Sequence, residues 1–379
     1  MSIPDAPESS KALHTIIGDA VQGAGGWLPF DDFMALALYQ PGLGYYAGPL
    51  PKFGSSPASG SDFVTAPEMT PLFGRALARQ LADALTATGT REVWEFGAGS
   101  GALAWQLLTE LRDLGVVLDR YTIVDVSGTL RARQQERLAA FGNRVQWADA
   151  LPDAMQGVLL GNEVLDAMPV KLLARVDANW FERGVAIGDD EKLIWRDRPT
   201  NLRPPFPIAG AHDYLTEIHP QAEAFVCTLA DRLRRSARGG VLFLIDYGFV
   251  ESEYYHPQRH MGTVMCHRAH LADPDPLSEV GRKDITAHVN FTGIALSAQE
   301  AGLDVLGYTT QARFLMNCGL LELAAQQTLA DRAPVQKLIM EHEMGELFKV
   351  IALGVLPDGV PVQDWRPLGF ADGDRTHTL

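Results

Sequence analysis

Cysteine is scarce in this chain: Cys227, Cys266 and Cys318 are the only three in 379 residues, widely separated and with no C-x-x-C pair. That argues against a structural zinc site and against a disulfide framework. Also lacking is any apolar run of the ~20 residues that span a bilayer, so no membrane insertion is expected. The N-terminus (Ser2, Asp5, Glu8) has neither a signal-peptide core nor arginine-rich transit character, which points to a cytoplasmic protein. Positive charge is in deficit, with 32 Lys+Arg against 47 Asp+Glu and a net charge of -15. With a pI of about 5.1, most of the surface would repel a phosphate backbone, and no nucleic-acid partner is expected. What is present is a well-supplied core: 46% of the residues are hydrophobic and the mean hydropathy is -0.03. No internal repeat or long linker divides the chain, so it reads as one large domain carrying insertions.

Glycine is placed with purpose. The strand Val93-Trp94-Glu95-Phe96 runs into Gly97-Ala98-Gly99-Ser100-Gly101 and then into an amphipathic helix. Alternate glycines allow a sharp turn and bring bare N–H groups close to a ligand at a helix N-terminus. The spacing G-x-G-x-G departs from the G-x-G-x-x-G of dinucleotide binders. Glu95, two positions before the first glycine, can hold the cationic amino-acid end of S-adenosylmethionine. A glycine-rich strand-to-helix turn without a ligand is the plain alternative.

Further acidic residues fall at strand ends, where ligands collect in open α/β sheets. Arg120 to Val126 reads as a buried parallel strand with Asp125 at its C-terminal end, placed for a ribose diol. Ser127 offers a helix N-cap, and Leu130, Leu138 and Phe141 share one face of the helix that follows. Arg144 to Trp147 is a third strand ending at Asp149, which fits either a contact to an adenine amino group or a turn residue. Gly157 to Gly161 delivers Asn162, Glu163 and Asp166 to the same edge. Glu163 and Asp166, three residues apart, could share one side of a short helical turn, orient a cationic or amino nucleophile and accept a proton. Alternatively, Asn162 and Asp166 cap a helix that Pro169 ends.

Together these residues resemble the MidA-like class I methyltransferases, whose mitochondrial members methylate an arginine of a complex I subunit. The resemblance covers most of the chain: Tyr39 to Tyr46, Gly60 to Glu68 with Phe73-Gly74, the glycine loop, Asn162-Glu163 through Pro169, Ile245 to Gly248, and Asp284 to Phe291. It implies that Glu95, Gly97, Gly99, Gly101 and Asp125 contact S-adenosyl-L-methionine and that the Asn162-Glu163 segment flanks the transferable methyl. His288, inside one of these segments, is a candidate for the acceptor site, or a satisfied buried histidine.

The expected fold is α/β, a Rossmann-like class I methyltransferase sheet with helices on both faces, an N-terminal helical cap and an inserted β-meander. Residues 1–88 form the cap, with helical spacing at Leu13, Ile16, Ile17, Ala20 and Val21. The glycine- and proline-rich loop from Gly42 to Pro67 reads as a lid on the cofactor, carrying Thr65 and followed by Glu68. The core is 89–355, with insertions at about 170–215 and 251–290, a helix from about Thr216 to Ala237, another from Phe314 to Ala330, and a final antiparallel strand, Phe348 to Leu353. Residues 356–379 read as a poorly ordered tail. His256, His260, His267 and His270 lie in a proline-interrupted stretch without a metalloprotease motif, and no metal is expected. The basic run Arg232 to Arg238 suits a helix C-terminus. The expected activity is methylation of a protein arginine, with a protein substrate and a homodimer as partners. A small-molecule methyltransferase and a non-catalytic assembly factor are the rival readings.

Overall fold

The computed structural model describes residues 6–48, 65–357 and 365–379. The chain divides into two compact units, one formed by 1–63, 166–222 and 249–290 and the other by 64–165, 223–248 and 291–379.

The second unit is built on a sheet whose strands, in chain order, are β1 (Glu92–Phe96), β2 (Arg120–Val124), β3 (Val145–Ala148), β4 (Gly157–Asn162), β5 (Gly240–Phe249), β6 (Asp304–Thr310) and β7 (Phe348–Val355). Their spatial order is β6-β7-β5-β4-β1-β2-β3. β1 to β5 run parallel, while β7 is antiparallel to both β5 and β6, beside the edge as expected. The order reverses between β1 and β4, a switch point of the kind at whose strand C-termini ligands bind in open α/β sheets. Burial on both faces explains the continuous apolar run of β5, Val241 to Ile245, none more than 1% exposed. On one face Val93, Tyr121, Ile123, Leu160 and Phe243 share a core with Leu77, Leu81, Leu103 and Leu107 from the helices Pro71–Thr88 and Ala102–Asp113. On the other, Phe96 meets Phe225 edge-on at 5.3 Å, a residue of the helix Pro220–Arg234.

The first unit carries an antiparallel sheet. Lys171–Val176, Asn179–Ile187 and Leu193–Pro199 form the expected meander, extended by Leu28–Pro29 and Tyr214–Ile218. The helices Ala6–Gly23 and Phe30–Tyr39 supply Leu13, Ile17, Val21, Phe33 and Ala37 to its core. A smaller sheet joins Met265–Arg268 to Leu271–Asp273 and Asp284–Thr286.

Three elements differ from expectation. Thr216 lies in a strand, and the helix begins at Pro220; proline's fixed φ and missing N–H suit the first helical turn. The helix expected over 314–330 is cut by Gly319, whose φ of +81° ends Gln311–Asn317 and starts Leu320–Ala325. Residues 365–379, expected as a loose tail, pack on the sheet unit. Phe370 is fully buried against Phe314 at 5.4 Å, and Asp83 Oδ2 accepts from Trp365 Nε1 at 3.2 Å and Leu368 N at 3.0 Å.

Candidate active site

β1 ends at Phe96, and the backbone then takes φ of +65° at Gly97, +53° at Gly99 and +79° at Gly101 before the helix Ala102–Asp113. Side chains rarely adopt this region. Space is short as well: a Cβ on Gly97 would lie 3.1 Å from Val164 Cγ2, and one on Gly101 would lie 3.4 Å from Gln134 Cα. The glycines thus allow the loop to lie close to its neighbours.

Two carboxylates stand beside it. Glu95 is only 2% exposed, and its Oε2 accepts a 2.7 Å hydrogen bond from the Tyr121 hydroxyl. Burial pushes its carboxyl up to about 7, opposed by the Tyr121 hydrogen bond and reinforced by the charge of Asp125. Asp125 Oδ1 accepts from Ser127 N at 2.9 Å, and its Oδ2 accepts from Gln134 Nε2 at 2.8 Å. Ser127 caps the helix Gly128–Leu138 as expected. A carboxyl whose ionisation is made costly by burial and by a second carboxylate is a place where a ligand cation is favourable. The residues therefore fit S-adenosylmethionine: Glu95 would hold its ammonium, Asp125 its ribose hydroxyls, and the glycine loop would pass beside its body.

The other expected cofactor residues are placed differently. Asp149, just past β3, is exposed and pairs with Arg131 at 2.6 Å. Thr65 occupies the N-cap position of the helix Ala66–Met69 without a side-chain cap bond. Glu68 Oε1 accepts from the Ser100 hydroxyl, to which Arg137 also donates at 2.6 Å, so this carboxylate is tied to the glycine loop. Gln106 braces the same region, donating to Pro67 O at 2.7 Å and accepting from Gly74 N at 3.1 Å. The lid expected over 42–67 falls largely on 49–64, outside the described residues.

At the end of β4, Glu163 adopts φ +54° and its N–H bonds Ile245 O at 2.8 Å. Asn162 Nδ2 donates to Glu163 Oε1 at 3.0 Å, while the buried Asn162 Oδ1 has no partner among the described residues. The helical turn expected here does not form. Asp246 Oδ2 captures Val164 N and Leu165 N at 3.1 and 2.9 Å, and the left-handed Glu163 breaks helical continuity.

Within the first unit, Asp166 is 6% exposed and its carbonyl accepts from Ala287 N at 2.9 Å. The Tyr46 hydroxyl donates to Asp284 Oδ2 at 2.9 Å. Burial, then Asp284, then Asp166 hold the Tyr46 hydroxyl well above its usual ionisation range. Tyr39 stacks on Tyr46 at 5.6 Å and bonds Ala167 O at 2.8 Å. Three separated sequence segments therefore meet around Tyr46. His288 lies with its ring edge-on to Phe249 at 5.2 Å, and its backbone N–H donates to Thr263 Oγ1 at 3.1 Å. That hydroxyl donates to the buried Glu217 at 3.1 Å. Among the described residues no group of three or more His, Cys, Asp and Glu is arranged to hold a metal ion.

The sequence assigns no site role to Gln134, Tyr121, Asp246 or Gln106, although Asp246 lies within the Ile245 to Gly248 segment. Gln134 had a signal: it stands between Leu130 and Leu138 at i+4 spacing, a polar residue on a buried stripe. Tyr121 and Gln106 carried none, because an apolar strand and an amphipathic helix accommodate both without special pattern.

Residues 76–309 match the family of S-adenosyl-L-methionine-dependent methyltransferases Methyltransf_28. A Burkholderia thailandensis protein crystallised with S-adenosyl-homocysteine is 49% identical, with a TM-score of 0.91 over 100% of this chain and 99% of that one. The protein arginine methyltransferase NDUFAF7 homolog, mitochondrial, of Caenorhabditis elegans is 25% identical over 92% of this chain and 87% of its own length. The human protein arginine methyltransferase NDUFAF7, mitochondrial, is also 25% identical, over 85% and 79% respectively. These mitochondrial names overturn the cytoplasmic location inferred from the N-terminal residues, whose lack of a targeting pattern did not fix a compartment. With a matched family across more than half its length and a ligand-bound neighbour over all of it, the chain belongs to the MidA-like S-adenosyl-L-methionine-dependent methyltransferases and takes S-adenosyl-L-methionine as its cofactor.

Proposed function

We propose that the chain N-methylates an arginine of a protein partner, with a respiratory-complex subunit the first substrate to test. The observation that carries this reading is the Asn162-Glu163 pair: a carboxylate fixed by its neighbour's amide beside a buried amide oxygen with no partner among the described residues. Two acceptor groups suit a guanidinium, which has only donors and pairs well with carboxylates. The named activity of relatives at 25% identity over most of the chain supports the same acceptor.

The cofactor, when bound, supplies an electrophilic methyl group on a sulfonium. The protein's part is alignment and proton handling. Glu163 would hold the guanidinium and take the proton that the attacking nitrogen must lose. Asn162 would accept a second N–H, and Asp246 would keep the backbone of Val164 and Leu165 from drifting.

The test is labelled methyl transfer from S-adenosylmethionine into a cell extract, followed by acid hydrolysis and separation of methylated amino acids. Label in methylarginine is the expected result. Label confined to small metabolites would replace the protein acceptor by a small molecule.

A further inference from the structure

Gln134 is fully buried on the helix Gly128–Leu138. Its Nε2 donates to Asp125 Oδ2 at 2.8 Å and to Gly99 O at 2.9 Å, while its Oε1 accepts from Trp147 Nε1 at 2.9 Å. These bonds fix the amide's orientation: the end facing Asp125 and Gly99 must donate, and the end facing Trp147 must accept. Its backbone lies against Gly101, where an added Cβ would come within 3.4 Å of Gln134 Cα. One side chain therefore links the end of β2, the middle of the glycine loop and β3.

We propose that Gln134 is a positioning residue for the cofactor, acting through Asp125. A carboxylate rotating freely would offer its oxygens to the ribose hydroxyls in many orientations. Here one oxygen is held by Ser127 N and the other by Gln134, so the group is set before the ligand arrives, and the cost of ordering it on binding is avoided. Gly99 O is held by the same amide, which keeps loop and carboxylate in one register. The inference rests on Asp125 being a cofactor contact. It extends to a helix residue that need not touch the ligand.

A double-mutant cycle with calorimetry of S-adenosyl-homocysteine tests it. Gln134→Met keeps length and apolar burial but removes the donors and the acceptor; Asp125→Ala removes the group it is proposed to act through. Gln134→Met should weaken binding by about tenfold in the wild-type background, the scale of a lost hydrogen bond to a charged group. In the Asp125→Ala background it should cost less than about threefold. Equal cost in both backgrounds would mean that Gln134 merely supports packing, and overturns the proposal. If Asp125→Ala alone leaves affinity unchanged, the ribose reading of Asp125 fails together with it.

Gln134→Glu supplies an independent check should the methionine variant not fold. It still accepts from Trp147 but turns a carboxylate toward Asp125 and Gly99 O. The ratio of its dissociation constant to that of wild type should be large at pH 8 and fall as acid restores a proton between the two carboxyls. A ratio near one at all pH values, or one that does not change with pH, overturns the relay.

Discussion

The Tyr121 hydroxyl donates a 2.7 Å hydrogen bond to Glu95 Oε2 inside the core of the sheet unit. Neighbouring parallel strands thus place a phenol and a carboxyl together beneath the glycine loop, both buried. The bond stabilises the ionised carboxylate, but not enough to offset its lost hydration, and the group titrates at about 7.

Cofactor affinity should consequently depend on pH. In the free protein Glu95 carries its proton below about 7, whereas an ammonium held beside it favours the carboxylate, so binding expels that proton. The dissociation constant for S-adenosyl-homocysteine should be flat above that pH and rise by up to about tenfold per unit below it. The same shift means that the unliganded fold is destabilised as pH rises from 4.5, the ordinary carboxyl value, toward 7. Calorimetry between pH 5.5 and 8.5 checks the slope. Glu95→Gln should bind more weakly with a flat profile; a flat wild-type profile would detach Glu95 from the ammonium.

Glycine positions in the loop should tolerate nothing larger. Gly97→Ala meets both a φ of +65° and Val164 Cγ2 at 3.1 Å. The left-handed conformation alone costs about 1–2 kcal/mol, and the contact adds to it. Thermal unfolding should show the loss, and cofactor affinity should fall further in Gly99→Val, which puts a branched side chain on a φ of +53° within the loop. Unchanged affinity in a folded Gly99→Val protein would move the ligand elsewhere.

The parts legible in the sequence were those written in local chemistry. Glycines at alternate positions, the strand-end places of Glu95 and Asp125, and the Ser127 cap each follow from a rule that acts over a few residues, and the apolar run of β5 states its burial on both faces. The left-handed Glu163 was hidden because it depends on Asp246, more than eighty residues away, competing for the N–H groups a helix would have used. Nor could the sequence show that Phe370 inserts beside Gly307, where an added Cβ would lie 2.3 Å from its ring. Proline-rich composition around residues 357–367 suggested looseness, yet a single buried aromatic with backbone bonds to Asp83 and Gln80 anchors the tail.

Asp246 should behave as a support of the candidate site. It is 1% exposed and accepts from the backbone N–H groups of Val164, Leu165 and Tyr247. Asp246→Ala removes the carboxylate that these donors share, for a loss of about 2–4 kcal/mol. Urea unfolding measures that loss. Methyl transfer should fall alongside it, because the backbone following Glu163 is no longer held; a variant of wild-type stability would show that other acceptors replace the carboxylate.

Glu163→Gln tests the acceptor side directly. The substitution preserves size and leaves an oxygen to accept from Asn162 Nδ2, but it removes the charge that would hold a guanidinium and the base that would take its proton. Losing a charged partner costs about 1.5–3 kcal/mol, or roughly ten- to hundredfold in rate when the contact is made in the transition state. S-adenosyl-homocysteine affinity should stay near wild type, since the cofactor carboxylates proposed above are Glu95 and Asp125. Asp166→Asn provides a contrast. Asp166 is buried and helps raise the Tyr46 hydroxyl, so its loss should also bring the Tyr46 titration down, which ultraviolet difference spectra at high pH can follow. Transfer into protein, cofactor affinity and tyrosine titration, measured on each variant, separate the roles. If Glu163→Gln transfers methyl groups at the wild-type rate, or loses cofactor affinity in step with activity, the guanidinium is held elsewhere.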